Sequence, residues 1–234
     1  MATFNGSRYI KEQLQSILPQ LNGNDELILS DNGSTDDTLT LIHSLNDPRI
    51  KVVHEPKKGV IPNFENALRH AQGDIIFLAD QDDVWLKNKV ATVLSSLAEC
   101  DLVLHDADIV DSDLHPLAPS LFQANNFQAN PSAPGLIHTL IKNRYVGCCM
   151  AFRRTLLDLA LPFPPGIGMH DWWLGALGEA RFRVRHLPQP LIHYRRHDTN
   201  ASMTSQRSKY SLLQKVKWRI VLIYFMLKRI YFKR

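Results

Sequence analysis

Apolar positions along the first two-thirds of the chain follow two alternating rhythms. Ile10, Leu14, Ile17 and Leu18 recur at i, i+4, i+7 and i+8, one face of a helix that follows the Asn5-Gly6-Ser7 turn. Leu27-Ile28-Leu29 is a continuous apolar run ending at Asp31, which reads as a buried strand. Ser34 with Asp37 three residues on predicts a capping-box-like start for a second helix. The rhythm then repeats. Ile50 to Val53 is a strand, followed by a helix carrying Phe64, Ala67, Leu68 and Ala71. Ile75 to Leu78 is a strand ending at Asp80, with a helix over Val90, Val93, Leu94 and Leu97 and a strand at Leu102 to Leu104 after it. Continuous rather than alternating apolar runs suggest strands covered on both faces. The expected fold is therefore α/β, with a mixed, mostly parallel sheet flanked by helices.

Such a domain usually opens with a buried strand, whereas this chain begins at the turn that would follow one. Either the start lies upstream, the favoured expectation, or the first strand is missing or replaced. From Pro116 to Pro134 the chain is rich in Pro, Asn, Gln and Ser and reads as a long loop. A short helix near Leu136 to Ile141, a strand at Cys149 to Phe152, a helix from about His170, and strands near Val184 and at Leu191 to Tyr194 complete the domain. The tail from Lys209 reads as a helix.

Composition narrows the function classes. At 234 residues and 44% hydrophobic, the chain suits one globular domain with a short appendage rather than a disordered segment. The net charge of +4 hides an asymmetry, because all 23 acidic residues and 18 of the 27 basic ones lie in the first 198 residues. That part is net acidic, and it carries no basic patch with interleaved aromatics, so nucleic acid is not an expected partner. The basic character belongs to the tail, where Trp218, Tyr224, Phe225, Tyr231 and Phe232 mix with lysines and arginines. Peripheral contact with an anionic membrane is one reading of it, and a helix packed on the domain or a partner subunit is the other. The charges do not fall cleanly on one helical face. No apolar run approaches the ~20 residues of a spanning helix, and the opening residues lack the marks of a secretory leader. Cys100, Cys148 and Cys149 form no C-x-x-C pair, which fits a reducing, cytoplasmic setting, peripheral at the inner face of the membrane if the tail binds there.

Four segments carry candidate chemistry. Phe77-Leu78-Ala79-Asp80-Gln81-Asp82-Asp83-Val84-Trp85 delivers three carboxylates at the end of an apolar strand, where α/β sheets bind ligands. Hard oxygen donors of this kind suit Mg²⁺ or Mn²⁺; the plainer alternative is an acidic turn capping the next helix. Asp31, in Asp31-Asn32-Gly33-Ser34-Thr35-Asp36, is either a hydrogen-bond acceptor for a base or ribose or simply a turn with a helix cap. His170-Asp171-Trp172-Trp173 offers a general base beside aromatic faces for a sugar, or else a core tryptophan pair behind a capping aspartate. Tyr194-Arg195-Arg196-His197-Asp198-Thr199-Asn200 supplies a metal-competent histidine and arginines suited to diphosphate, or an ordinary solvated loop.

Taken in order, Thr3-Phe4-Asn5-Gly6, the Asp31 to Asp36 segment, Gly59 with Asn63-Phe64, Asp80-Gln81-Asp82-Asp83, His170-Asp171-Trp172-Trp173 and Arg195-x-His197-x-x-Asn200 resemble family 2 glycosyltransferases, especially the bacterial rhamnosyltransferase type. The resemblance covers roughly residues 2 to 200. It implies a GT-A fold with a donor-nucleotide half over residues 1–111 and an acceptor half over 112–200; the basic aromatic helix read over 201–234 lies outside it. It further implies an inverting, metal-dependent transfer of a sugar such as rhamnose from a nucleotide-diphosphate donor to a glycan or lipid-linked acceptor of bacterial surface polysaccharide. Phe4 would stack on the base beside Thr3 and Gly59, Asp31 would bond the base, and Asp80 would lie near ribose and metal. Asp82 and His197 would hold Mg²⁺ or Mn²⁺, and Asp171 would be the base. Asp83, Trp172, Trp173, Arg195 and Asn200 would contact diphosphate or acceptor. Asn32 departs from the second Asp found in many members, and Lys58-Gly59 lacks a preceding Asn.

Three other classes compete. Asp80-x-Asp82-x-Val84 also fits the nucleophile motif of haloacid-dehalogenase-like phosphatases, but that motif normally opens its domain. Sugar nucleotidyltransferases begin with a Gly-rich basic loop that is not found in this N-terminal segment. A catalytically degenerate glycosyltransferase-like binding or scaffold domain is the third; the intact Asp82, Asp171 and His197 argue against it.

Overall fold

The computed structural model describes residues 1–127, 135–197 and 210–232. In chain order it holds β1 (Ala2–Thr3), α1 (Ile10–Ile17), β2 (Leu27–Asp31), α2 (Thr38–Ser44), β3 (Ile50–His54), α3 (Val60–His70), β4 (Ile75–Phe77), β5 (Val84–Trp85), α4 (Lys89–Leu97) and β6 (Leu102–Val110). There follow β7 (Pro116–Ala118), α5 (Leu121–Ala124), α6 (Leu136–Ile141), β8 (Met150–Arg153), α7 (Arg154–Ala160), α8 (His170–Arg181), β9 (Val184–Arg195) and α9 (Leu212–Phe232).

The strands form two sheets. β1, β2 and β3 are parallel neighbours in that order. The other sheet runs β4-β8-β6-β9-β5, with β7 on β6; there only β6 and β9 are parallel. The α/β class with a mixed sheet is as expected, but the mostly parallel expectation is not met: four of the seven pairings are antiparallel. The helix-strand alternation is confined to the first hundred residues; β4 and β5 pair antiparallel with distant β8 and β9, and β7 folds straight back on β6. The missing first strand is also corrected. Ala2–Thr3 pairs with Ser30 and Asp31 as a two-residue strand, too short to give a period. The expected Ser34 cap is a third correction. Ser34 Oγ bonds Asp31 instead, and α2 starts at Thr38. Part of the expected Pro116–Pro134 loop is the edge strand β7 and the short helix α5, with Ser120 Oγ capping the latter.

Local forces explain the elements that position the site. α1 buries Ile10, Leu14 and Ile17 on one face, each worth ~1.5–3 kcal/mol. The same face carries Gln13, whose Nε2 donates to the Asp80 carbonyl at 2.7 Å and so ties the helix to the acidic turn. α3 follows Gly59, whose φ of 125° a side chain would strain, and packs Phe64, Ala67 and Leu68 inward. α8 is buried along most of its length, and Gly175 lets the Tyr145 ring lie against it; a Cβ there would come within 2.2 Å of that ring. α9 packs on the domain through Leu222 and Met226, and the Arg229 guanidinium donates to the Leu161 carbonyl at 2.7 Å. Among the described residues no helix is long and apolar enough to cross a membrane.

Candidate functional site

The acidic turn after β4 is held from three sides. Gln81 clamps Phe4 through both ends of its amide, accepting from the Phe4 N–H at 2.9 Å and donating to its carbonyl at 3.0 Å. Successive carboxylates then separate by direction. Asp80 and Asp82 line a large open cavity of about 1780 Å³, while Asp83 turns into the protein, where its Oδ1 accepts from the Arg195 N–H at 3.1 Å. Burial, then Asp82 and Asp171, pushes Asp80 up to about 7. Burial, then Asp82 and Asp80, pushes Asp83 well above the carboxylate range, and its Oδ2 has no hydrogen-bond partner. Asp83 is buried while Asp80 and Asp82 are half-buried on the cavity wall, so three like charges crowd one turn, an arrangement that a cation stabilises.

The end of β9 supplies the other side. The His197 Nε2 lies 2.8 Å from Asp82 Oδ2, with its ring against Tyr9 at 4.8 Å. Arg195 does not reach the cavity, which corrects its expected diphosphate contact. Its buried guanidinium bonds the Asp82 carbonyl at 2.8 Å, the Ser112 carbonyl and Glu12, and lies over the Tyr9 ring. The next residue, Arg196, lies beyond the end of β9 and lines the cavity instead, as His197 does. Asp83 is corrected in the same way, from a contact residue to a buried support. Asn200 lies outside the described residues.

At the other flank, Phe4 is 49% exposed and lines the cavity together with Thr3, Asn32 and Gly59. Thr3 is buried and its carbonyl accepts from Asn63 Nδ2 at 3.1 Å. Asp31 is corrected. It is buried and its oxygens are taken by its own turn: Oδ2 accepts from the Gly33 and Ser34 N–H groups at 2.9 Å each, and Oδ1 from Ser34 Oγ. The turn reading holds there. Asn32 bonds the Glu55 and Lys57 carbonyls and the Gly59 N–H, pinning the loop that leads into α3.

Asp171 opens α8 and faces the same cavity. Its Oδ1 accepts from Asn143 Nδ2 at 3.0 Å and from the Trp172 N–H at 2.6 Å, yet burial outweighs these bonds and pushes the carboxyl up to about 7. Trp172 lines the cavity, with its Nε1 donating to the Thr139 carbonyl at 2.6 Å. Trp173 does not. It is fully buried, and its Nε1 donates to Ala160 in the core, which corrects its expected contact role. The first turn of α8 carries His170, Asp171 and Trp172 to the cleft, and the next step of about 100° takes Trp173 into the core. His170 also lines the cavity, stacked on Phe64 at 4.0 Å and kept neutral by burial.

The donor set fits a divalent ion. Asp80 and Asp82 offer hard oxygens, His197 an imidazole, and Asp83 an unsatisfied carboxyl oxygen behind them. Several supporting residues give no sequence signal. Glu12, Gln13, Gln81 and Asn143 read as helix surface or loop polars. Lys89 reads as an exposed helix start, but is buried with its amine 2.8 Å from the Cys148 carbonyl and 4.1 Å from the Trp85 ring centre.

Comparison with known proteins agrees with this geometry. The family model described as glycosyl transferase family 2 matches residues 1–159. The dTDP-rhamnosyl transferase RfbG of Shigella flexneri is 27% identical over 237 residues, covering 93% of this chain and 80% of that protein. TarS 1–349 of S. aureus in complex with UDP-GlcNAc superimposes with a TM-score of 0.68 at 19% identity, over 98% of this chain and 71% of that one. Glucosyl-3-phosphoglycerate synthase of Mycobacterium tuberculosis, in complex with Mn²⁺, UDP and glucosyl-3-phosphoglycerate, gives 0.59 at 21% identity, over 97% and 77%. The chain spans about two thirds of an uncharacterized Nostoc glycosyltransferase that it also matches. With two-thirds of its length under one family model and a GT-A arrangement of strands around the acidic turn, the chain belongs to glycosyl transferase family 2.

Proposed function

We propose that the chain is an inverting, metal-dependent glycosyltransferase. It moves a sugar, rhamnose or another hexose, from a nucleoside-diphosphate donor to a hydroxyl of a glycan or lipid-linked acceptor in surface polysaccharide assembly. The observation that carries this reading is one cavity with Asp80, Asp82 and His197 on one wall and Asp171 on another. The name of RfbG supports a deoxythymidine-diphosphate rhamnose donor. Three free, buried cysteines suit a cytoplasmic setting at the inner face of the membrane.

In this reading residues 1–111 form the donor half and 112–200 the acceptor half. Phe4 stacks on the base, and Thr3, Asn32 and Gly59 fix its approach. Asp80 lies near the ribose, while Asp82 and His197 hold Mg²⁺ or Mn²⁺. When bound, the ion neutralises negative charge growing on the leaving diphosphate. Arg196 adds a cation on the same wall, taking the role the sequence suggests for Arg195. Trp172 packs on the acceptor. Asp171, oriented by Asn143, removes the acceptor hydroxyl proton as that oxygen attacks the anomeric carbon from the face opposite the leaving group. The bond to diphosphate breaks as the new glycosidic bond forms, so the anomeric configuration inverts without a covalent enzyme intermediate. A carboxyl that titrates near 7 is well matched to this task.

Thermal unfolding against a panel of nucleoside diphosphates, with and without Mn²⁺, tests the reading. A ligand at a hundred times its Kd adds ~2.7 kcal/mol, or about 5–10 °C for a chain of this size. One base should give a metal-dependent rise that Asp82→Ala abolishes. A cooperatively folded protein with no shift for any base would reject the donor site.

A further inference from the structure

The outer side of α9 is apolar and uncovered. At 100° per residue, Leu213, Val216, Ile220, Ile223, Tyr224, Leu227 and Tyr231 fall within one arc about 100° wide. The stripe runs about 27 Å along the helix. All seven are exposed, Leu213 to 83%, Ile220 to 63% and Tyr231 to 70%. The opposite side holds Leu222 and Met226 against the core. Two apolar faces on one helix explain why the charges look unsorted in sequence. Lys217 and Lys228 lie together along one border of the stripe. Arg219 beyond the other border donates to the Ile141 carbonyl at 3.1 Å. That bond sets α6, with Ile137 and Ile141 exposed to 71% and 60%, beside the stripe. α9 contains no acidic residue.

We propose that α9 and α6 form a docking surface for an anionic lipid bilayer. The helix lies in the interface plane with its apolar stripe at the acyl boundary, while Lys217 and Lys228 extend to the headgroups. Charge selects this occupant over a second copy. Stripe-to-stripe packing of two chains would set basic borders against each other, lysines on lysines or lysines on Arg219, with no carboxylate on α9 to offset them, whereas acidic headgroups complement them directly. Tyr224 and Tyr231 carry the apolar ring and polar tip that suit an interface. Lys142, which follows Ile141 at the end of α6, lines the cavity, so that edge of the surface adjoins it. An acceptor held in the bilayer would reach the cavity from that edge. The docking stands on its own geometry; only that link to the acceptor rests on the glycosyltransferase reading.

The test is co-sedimentation of the full chain with vesicles of phosphatidylcholine, alone or with about one third phosphatidylglycerol. Wild-type protein should bind the anionic vesicles about tenfold or more over the neutral ones, less so at high salt. Ile220→Glu/Leu227→Glu should lose this binding, and Lys217→Glu/Lys228→Glu should weaken it by about tenfold or more. Both variants should keep the wild-type Tm and the wild-type thermal shift with nucleoside diphosphate and Mn²⁺, since the altered side chains are exposed. Equal binding of wild type and Ile220→Glu/Leu227→Glu, no binding to either vesicle, or equal binding to both would overturn the proposal. So would a wild-type dimer in light scattering that Ile220→Glu/Leu227→Glu splits, since a second copy would then occupy the stripe. Intact vesicle binding with no nucleotide shift would reject the glycosyltransferase reading and leave the docking surface standing.

Discussion

Replacing Asp171 by asparagine separates the chemistry of this carboxyl from its effect on folding. The side chain keeps its size, and its remaining oxygen still accepts from Asn143 and the Trp172 N–H. Burial raises the wild-type carboxyl from its ordinary 3.8 to about 7. Below pH 3.8 both folded and unfolded chains hold this proton, and its contribution to stability is fully present. Between 3.8 and about 7 the unfolded chain loses the proton first, so stability falls by ~1.4 kcal/mol per pH unit. Above about 7 the loss is complete, at most ~4 kcal/mol, and less if water enters the cleft around the charge. The asparagine does not titrate. Its own cost, one oxygen exchanged for an amide, is the same at every pH and cancels in the comparison. From pH 5 to pH 8 the variant should therefore gain up to ~3 kcal/mol on the wild type, about 5–10 °C in Tm. Asp80, which feels the Asp171 charge, shifts in the same direction. Scanning calorimetry of both proteins in chelator, at pH 5, 6, 7 and 8, measures the difference. Wild-type kcat/KM with metal restored should fall about tenfold per pH unit below 7, while the variant keeps nucleotide binding and loses turnover. Parallel Tm curves would refute the buried-proton argument, and wild-type-like turnover of the variant would refute the base.

Two further substitutions probe the walls of the cleft. Arg195→Met should cost about 3 kcal/mol or more in urea unfolding, because it strips the Asp82 and Ser112 carbonyls of a buried donor and Glu12 of its partner. Arg195→Lys should not restore the loss, since one amine cannot span three acceptors; full rescue would show that only charge matters there. Phe4→Ala should weaken nucleoside-diphosphate binding in calorimetric titration by about tenfold or more, the usual worth of a base-aromatic stack. Unchanged affinity would remove the ring from the donor site.

The sequence by itself determined the elements of the first hundred residues and the order of the motifs. Apolar spacing is a local property, and it located α1, β2, β3 and α4 to within a residue or two and α3 over its C-terminal half. It also brought the acidic turn to the end of a strand, where the cavity forms. What it could not decide is which of two adjacent polar side chains faces that cavity. Asp82 rather than Asp83, Arg196 rather than Arg195, and Trp172 rather than Trp173 follow from the direction each backbone segment takes into the core. Asp31 looked like a ligand because its strand and turn resemble those of Asp80, but only the folded turn reveals that its oxygens are already bonded. The antiparallel pairings of β4 and β5, like that of the two-residue β1, depend on partners dozens of residues away, and no local period records such pairing. The same holds for α9, whose two apolar faces blur its pattern along the chain. Only packing against the domain decides which face is core and which stays open, because burial is a property of contacts between segments rather than of any one of them.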